Sequence, residues 1–260
     1  MMSKEFDVDR LMQEWRINGF VVFEGLIPLE KIDRIRQAWM PIREDGIQQH
    51  GQGNAGKHRY NIGVPFESPF LDEDIFEHPA LVEFLERVLG PDYVCAGFDS
   101  NTPFPGSEYQ SWHRDCHLLF PGLMTPAYQL GVKFPLVDTC EENGSFEVIP
   151  CTQYVADGDL QTELDDVLGP GVNQRAQYHP RRLNLKKGSL WVHDARVYHR
   201  GTPNRSDHSR DELGWAFCRP WLFHNHWLPG YTEPHFPRKL WDNLSSHAQQ
   251  VLRLQRVKDD

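Results

Sequence analysis

Long apolar runs are missing from this chain of 260 residues. No stretch approaches the roughly 20 apolar residues that a helix needs to cross a bilayer. The first ten residues are mostly polar and lack the apolar segment of a secretory signal. These absences argue against a membrane protein and against secretion, so we expect a cytoplasmic protein. No internal repeat is visible either, which disfavours solenoids and propellers.

Paired cysteines and an excess of positive charge are missing as well. The five cysteines are scattered and none stands in a C-x-x-C pair, so neither a disulfide framework nor a zinc ribbon is expected. Lys and Arg together number 27 against 37 Asp and Glu, which gives a formal net charge of −10. Nucleic acids and anionic membranes are negatively charged themselves, so we expect neither as the main partner.

Apolar periodicity divides the chain into a helical beginning, a β-rich middle and a helical end. Helical spacing of apolar residues predicts helices over residues 9–16, from 28 to about 41, and over 80–89. A short strand is predicted at residues 20–23. Residues 44–72 are rich in Gly, Gln, His and Pro, and we expect a loop there.

The middle of the chain has the sequence pattern of a β sandwich or barrel. Short apolar runs separated by turn formers predict strands near residues 93–98, 128–137, 145–149, 182–185, 189–193 and 213–219. A last amphipathic helix is predicted within residues 237–256. We therefore expect a single domain over 1–260, mainly β with flanking helices. It has a helical flank to about residue 91, a barrel core over about 92–222 and a helical tail over about 223–260.

The His113-Arg114-Asp115 segment carries the clearest chemical signal. Residues i and i+2 of a strand face the same side, so His113 and Asp115 present an imidazole and a carboxylate together. Far downstream, His199 stands at the predicted end of a strand. Two histidines and one carboxylate form the facial triad of non-haem Fe(II) oxygenases, which leaves neighbouring coordination positions open. Taken alone, however, a His-x-Asp pair is more often a buried hydrogen-bonded pair or part of a surface loop.

Three further features strengthen the metal interpretation. Arg210 follows His199 by eleven residues, and a buried arginine can bind a carboxylate through two parallel hydrogen bonds. Gln110 precedes His113 by three residues and could supply an amide to the same site. The segment 142–150 places a turn and a strand between the two parts of the triad.

Taken together, these segments resemble the phytanoyl-CoA dioxygenase (PhyH-like) family of Fe(II)/2-oxoglutarate-dependent oxygenases. The segments that match in order are residues 18–23, His113-Arg114-Asp115, residues 142–150, residues 187–191, His199-Arg200-Gly201 and Arg210. The resemblance implies a double-stranded β-helix, a jelly-roll or cupin-like barrel, with Fe(II) held by His113, Asp115 and His199. It also implies O2 and 2-oxoglutarate as cosubstrates, with the C5 carboxylate of 2-oxoglutarate on Arg210.

The sequence departs from the family pattern at two places. Residues 150–153 read Pro-Cys-Thr-Gln instead of Pro-Gly-Ser-His, and Gly201 stands where a Ser or Thr is usual. Gln110 matches a position that contacts the cosubstrate in some members, and we add Thr152 as a second candidate contact. Asp115 is present, whereas halogenases of the superfamily carry Gly or Ala there, which favours oxygenation.

Four residues are candidate substrate contacts: His117, Phe120, Trp215 and Arg59. Each has a simpler structural alternative, because His117 could support the metal ligands, the aromatic residues could fill the core, and Arg59 could lie in a solvated loop. His193 is more simply interpreted as a core or supporting histidine than as a ligand.

The predicted activity is oxidation of a small or medium-sized organic metabolite through C–H abstraction, with release of succinate and CO2. An acyl-CoA hydroxylase of the same family is one alternative, although the net charge is acidic and the sequence shows no evident cluster of basic residues that would bind a polyphosphate. A cupin-like metal enzyme without 2-oxoglutarate is a second, but it leaves Arg210 unexplained. A degenerate barrel that only binds is disfavoured by the intact triad. The oligomeric state cannot be predicted from the sequence.

Overall fold

The structure, a computed structural model, describes residues 5–116, 118–120, 122–155, 179–222 and 235–259. Its described helices are α1 (Val8–Asn18), α2 (Leu29–His50), α3 (Glu73–Phe76), α4 (Pro79–Leu89), α5 (Arg238–Asp242) and α6 (Ser246–Leu252). Its described strands are β1 (Phe20–Phe23), β2 (Arg59–Tyr60), β3 (Val94–Pro103), β4 (Gln129–Pro135), β5 (Glu147–Val148), β6 (Arg181–Arg182), β7 (Leu190–Asp194), β8 (His199–Arg200), β9 (Glu212–Cys218), β10 (His235–Pro237) and β11 (Arg256–Lys258). Within the described ranges, no helix is both long enough and apolar enough to cross a membrane.

Helix α2 is longer than the sequence predicts. It continues through Pro41 to His50, so the predicted loop over residues 44–72 begins only after the helix ends. A proline inside a helix removes one backbone hydrogen bond, and packing on both sides of it can offset that loss. Ile35 and Trp39 are buried before Pro41. Gly46 lies so close to Ile62 after it that a Cβ would come within 2.6 Å of the Ile62 Cδ1 atom.

The predicted C-terminal helix is interrupted. Helix α5 ends at Asp242, and α6 begins after Ser245, whose hydroxyl accepts a hydrogen bond from the Ala248 N–H at 2.9 Å. A serine that caps a new helix competes with continuation of the old one, which accounts for the break. The flanking strands β10 and β11 pair in parallel and close this end of the chain.

Two antiparallel sheets form the centre of the molecule. The larger has the strand order β1-β7-β4-β9-β3-β2 and the smaller the order β6-β5-β8. One apolar cluster fills the space between the larger sheet and the helices. A second cluster, which includes Phe146, Val148 and Trp191, lies between the two sheets. The prediction of a mainly β fold with flanking helices in a double-stranded β-helix arrangement is confirmed, although the two sheets do not close into one continuous barrel.

Strand register decides which side chains reach the space between the sheets. Lys133 of β4 pairs with Trp191 of β7 and with Gly214 of β9, and Gly131 pairs with His193 and Ala216. Directly paired residues of an antiparallel sheet point to the same side, so these residues share the inner face. Their neighbours along each strand, such as Trp215, face the helices instead.

Candidate metal centre and its cavity

Three side chains converge at one end of the space between the sheets. The Asp115 Oδ1 atom lies 3.4 Å from the Nε2 atom of His199 and 3.9 Å from the Nε2 atom of His113. The ligand atoms of all three residues lie within 4.8 Å of one another, close enough to share one ion. The structure therefore brings together the three residues that the sequence analysis selects.

Backbone pairing holds this arrangement in place. His113 and His199 form an isolated antiparallel bridge. The backbone nitrogen of His113 lies 3.1 Å from the His199 carbonyl oxygen, and the backbone nitrogen of His199 lies 3.0 Å from the His113 carbonyl oxygen. The Cys116 N–H donates to the Ala195 carbonyl at 3.1 Å, which fixes the chain just beyond Asp115. Arg114 points the other way and lies over the Tyr198 ring at 4.4 Å. The alternation expected for His-x-Asp is thus present.

The histidine tautomers suit a metal. The Nδ1 atom of His113 lies 2.9 Å from the Ser111 carbonyl oxygen, and that of His199 lies 3.0 Å from the Val197 carbonyl oxygen. A carbonyl oxygen only accepts, so each Nδ1 carries a proton and each Nε2 is the atom that would bind a metal. Burial lowers the pKa of His113 to about 4, with His199 adding to the effect, so this imidazole is neutral at neutral pH.

His193 supports the carboxylate from the opposite side. Its Nε2 atom lies 2.9 Å from the Asp115 Oδ2 atom, so the N–H donates to this oxygen and Oδ1 faces the two histidines. Burial alone would raise the pKa of Asp115, but the neighbouring His199 and His193 outweigh it and hold that pKa well below its usual range. The His193 ring stacks on Trp191 at 4.5 Å. It also fills the space over Gly131, where a Cβ would lie 2.1 Å from the ring.

The triad opens into a cavity of about 590 Å³ between the sheets. This volume falls in the range of roughly 300–1,000 Å³ that small-molecule sites occupy. The polar part of the wall includes Asn61, Asp99, Asn101, Gln110, Gln129 and Lys133. The apolar part includes Leu118, Leu119, Tyr128, Phe146 and Leu222. The wall therefore combines amide groups with apolar surface beside the metal ligands.

Arg210 lies one layer behind the described cavity wall. It is fully buried, and its Nη1 atom donates to the Glu212 Oε2 atom at 2.8 Å. Its Nη2 atom donates to the Asn101 side-chain oxygen at 3.2 Å, and its guanidinium lies 4.7 Å from the centre of the Phe146 ring. Burial lowers the pKa of Arg210, and Glu212 opposes this effect. The arginine reaches the cavity through Asn101 and Phe146, which do line it.

Arg59 is a second fully buried arginine in the same region, and it is not part of the described wall. It donates to the Thr202 carbonyl at 2.8 Å, to the Glu108 carbonyl at 3.2 Å and to the Asn101 side chain at 3.3 Å. Burial lowers the pKa of Arg59 to about 9, and the charge of Arg210 adds to the effect. A Cβ on Gly201 would lie 2.4 Å from the Arg59 Nη1 atom. Arg59 thus accounts for a glycine where the family has Ser or Thr.

The two other candidate cosubstrate contacts differ in position. Gln110 lines the cavity, accepts from the Gly201 N–H at 2.9 Å and donates to the Ala55 carbonyl at 3.1 Å. Thr152 is buried away from the described wall. Its hydroxyl donates to the Ile149 carbonyl at 2.7 Å and accepts from the Tyr198 N–H at 2.9 Å. Thr152 therefore positions the approach to β8.

The remaining candidate substrate residues are dispersed. Phe120 is 57% exposed and stands outside the described wall. Trp215 borders the cavity, but its side chain packs in the apolar cluster on the helix side, stacked on Phe98 at 5.0 Å. His117 lies outside the described residues. One inward residue, Lys133, was missed by the sequence analysis. A charged side chain between Gly131 and Pro135 of an apolar strand is the signal that could have found it.

The fold and the site define a double-stranded β-helix protein in which two histidines and one carboxylate lie close enough together to hold a metal ion. The model of the phytanoyl-CoA dioxygenase (PhyH) family matches residues 15–211, so the chain belongs to this family. The predictions of family membership and of an enzyme, an oxidoreductase of the dioxygenase class, are confirmed.

Solved structures share the fold at low sequence identity. AviO1 from Streptomyces viridochromogenes Tue57 is 16% identical with a TM-score of 0.63, covering 84% of this chain and 97% of AviO1. The non-heme alpha ketoglutarate dependent carbocyclase SnoK from nogalamycin biosynthesis is 16% identical with a TM-score of 0.60, covering 81% and 83%. The epimerase SnoN, in complex with Fe3+, alpha ketoglutarate and nogalamycin RO, is 19% identical with a TM-score of 0.59, covering 86% and 91%.

Proposed function

We propose that the protein is an Fe(II)- and 2-oxoglutarate-dependent dioxygenase that hydroxylates a C–H bond of a small to medium-sized organic metabolite. The observation that carries this proposal is the convergence of His113, Asp115 and His199 at the head of the cavity. Two imidazoles and one carboxylate are the ligand composition of non-haem Fe(II) oxygenases, so the donor set fits iron. The family match supports the reaction class.

Bound iron would couple the reduction of O2 to oxidative decarboxylation of 2-oxoglutarate and to substrate hydroxylation. One oxygen atom then enters the substrate, the other enters succinate, and C1 leaves as CO2. His113 and His199 would present Nε2 lone pairs to the iron, because their Nδ1 protons are committed to backbone carbonyls. His193 would keep Asp115 oriented through its hydrogen bond to Oδ2.

The cavity wall supports a modest organic substrate. Amide side chains and Lys133 line one part, while leucines and Tyr128 line another, which suits a molecule with both polar and apolar parts. In the described wall Lys133 is the one cation, and a coenzyme A polyphosphate would need more positive charge. SnoK is described as a carbocyclase and SnoN as an epimerase, so this fold supports more than one outcome of C–H abstraction. Hydroxylation is the simplest, and we propose it here.

The test is a substrate panel with the Fe(II)-loaded enzyme under 18O2. We expect one panel member to gain one labelled oxygen atom while labelled succinate forms in equal amount. H113A, D115A and H199A should abolish both products. H208A, a histidine variant on the exposed surface, should retain them. A panel that includes fatty acyl-CoA esters tests the alternative substrate class. Product formation that persists in D115A and H199A would overturn the proposal.

One observation favours the alternative metal enzyme that does not use 2-oxoglutarate. Arg210, the expected carboxylate anchor, is already paired with Glu212 and does not line the described cavity. Calorimetric titration of 2-oxoglutarate into the Mn(II)-loaded protein separates the two functions. We expect saturable binding that requires the metal. Absence of binding at millimolar 2-oxoglutarate would favour the alternative.

A further inference from the structure

We propose that Lys133 binds the C5 carboxylate of 2-oxoglutarate inside the cavity, an inference that rests on the proposed dioxygenase function. Arg210, the residue expected for this contact, would then act from behind the wall by positioning Asn101 and Phe146. The inference starts from the position of Lys133 in the sheet, its charge and its distance from the triad.

The sheet makes room for Lys133 on its inner face. Lys133 pairs with Gly214 of β9, and a Cβ on Gly214 would lie 2.6 Å from the Lys133 Cγ atom. The glycine therefore leaves space for the lysine stem. On the other side, Lys133 pairs with Trp191, whose ring lies 5.8 Å from the ammonium. The side chain lines the cavity and so points inward.

Lys133 forms no ion pair with another described residue, although the acid Asp99 lines the same cavity. Its Nζ atom lies 5.1 Å from the centre of the Phe146 ring, a cation–π contact that stabilises the charge without neutralising it. The nearby acid Glu212 is committed elsewhere. Its Oε2 accepts from Arg210 at 2.8 Å, and its Oε1 accepts from the Trp191 indole at 3.0 Å. An anion that entered the cavity would find Lys133 available.

Lys133 also lies near the metal ligands. Its charge contributes to lowering the pKa of Asp115, of His113 and of His193, after the larger effects of burial and of the triad itself. The Phe146 ring beneath its ammonium lies 6.2 Å from the His199 ring, measured between centres. A 2-oxo acid held at the triad would extend its chain from C2, and the C5 carboxylate lies three carbon–carbon bonds further. Lys133 is the wall cation placed to receive it.

Arg210 has a different environment. Both cations contact the Phe146 ring, but Arg210 is fully buried behind the wall and its charge is matched by Glu212. A carboxylate in the cavity could reach Arg210 directly only if Asn101 or Phe146 moved aside. Lys133 requires no such movement, which is why we assign the direct contact to Lys133.

The test compares two ligands with K133M. 2-Oxoglutarate and 2-oxopentanoate, which lacks the C5 carboxylate, are each titrated calorimetrically into the Mn(II)-loaded enzyme. A charge-assisted hydrogen bond corresponds to about 10–100-fold in affinity, so K133M should weaken 2-oxoglutarate by this factor. Binding of 2-oxopentanoate should stay unchanged. K186M, a Lys→Met variant at an exposed site, is the matched control and should bind both ligands as the wild type does.

Each other outcome overturns the assignment. Wild-type affinity of K133M for 2-oxoglutarate would mean that Lys133 does not contact the C5 carboxylate. If the KM of the substrate rose at the same time, Lys133 would bind an anionic group of the substrate instead. Equal weakening of both 2-oxo acids would indicate a general effect on cavity shape. A wild type that binds neither acid would refute the dioxygenase function itself, a separate result. K133Q, which places a neutral amide at this position, replaces K133M if that variant does not fold.

Discussion

The hydrogen bond between His193 and Asp115 gives the most specific prediction of how the protein would support a metal bound at the triad. H193L removes the donor while keeping an apolar side chain of similar size against Trp191. The lost bond spans 2.9 Å and has a carboxylate acceptor. A hydrogen bond to a charged group contributes about 1.5–3 kcal/mol. Residues that orient metal ligands change metal affinity by about 10–100-fold when removed, which agrees with that energy.

The assay is competition for Fe(II) or Mn(II) against a chromophoric chelator under anaerobic conditions. H193L should weaken metal binding by about 10–100-fold. H193Q is the matched variant, because the glutamine Nε2 can donate from nearly the same position as the imidazole Nε2. It should recover most of the lost affinity. Circular dichroism of both variants checks that they remain folded.

Two results would refute this reasoning. Wild-type metal affinity in folded H193L would mean that Asp115 is oriented without His193. An equally large loss in H193Q would mean that the stacked ring, rather than the donated N–H, supports the site.

Three further predictions concern stability. G201A should lower the free energy of unfolding by about 1–3 kcal/mol in a urea titration, because the new Cβ would lie 2.4 Å from Arg59, whereas G63A, which meets nothing within 4 Å, should change it little. W215A should lower the free energy of unfolding by about 3–5 kcal/mol and F120A by less than about 0.5 kcal/mol, because Trp215 is buried in the core and Phe120 is exposed. Equal losses in the two variants would contradict the described register. Mn(II) at about 100 times its Kd should stabilise the wild type by about 2.7 kcal/mol, seen as a higher Tm, and a triad variant should show no such shift.

Local sequence patterns were sufficient to select the three candidate metal ligands that the structure brings together. His113 and Asp115 are separated by one residue in an extended segment, and alternation alone places both on one side. His199 joins them because it stands at the edge of a strand that pairs back onto His113. The order of the matching family segments along the chain is what connected His199 with His113 and Asp115 in the sequence analysis.

The direction in which a side chain points was harder to predict than the triad, because it depends on the register between strands that are distant in sequence. A shift of one residue in the register of a strand moves every side chain to the opposite face of the sheet. From the sequence alone, Trp215 therefore cannot be told from a cavity residue, and the pairing of β9 with β4 decides its direction. The same holds for Lys133, whose inward position follows from pairing with Gly214. Arg210 and Glu212 are two residues apart in sequence, so their pairing is local, whereas the complete burial of Arg210 depends on the whole fold.

Element boundaries failed where tertiary packing overrides local preference. Pro41 predicts the end of a helix, yet α2 continues because buried residues on either side hold it in place. The reverse occurs near the C-terminus, where an apolar stripe predicts one helix and the Ser245 cap begins a new one.

Release of CO2 from 2-oxo[1-14C]glutarate tests the central claim most directly, because uncoupled turnover of the cosubstrate does not require knowledge of the substrate. We predict radioactive CO2 that depends on Fe(II) and O2. D115A and H199A should reduce it to background, and H208A should leave it unchanged. Absence of release from the Fe(II)-loaded wild type would contradict the proposed dioxygenase function. Release that survives D115A and H199A would contradict a metal centre built from His113, Asp115 and His199.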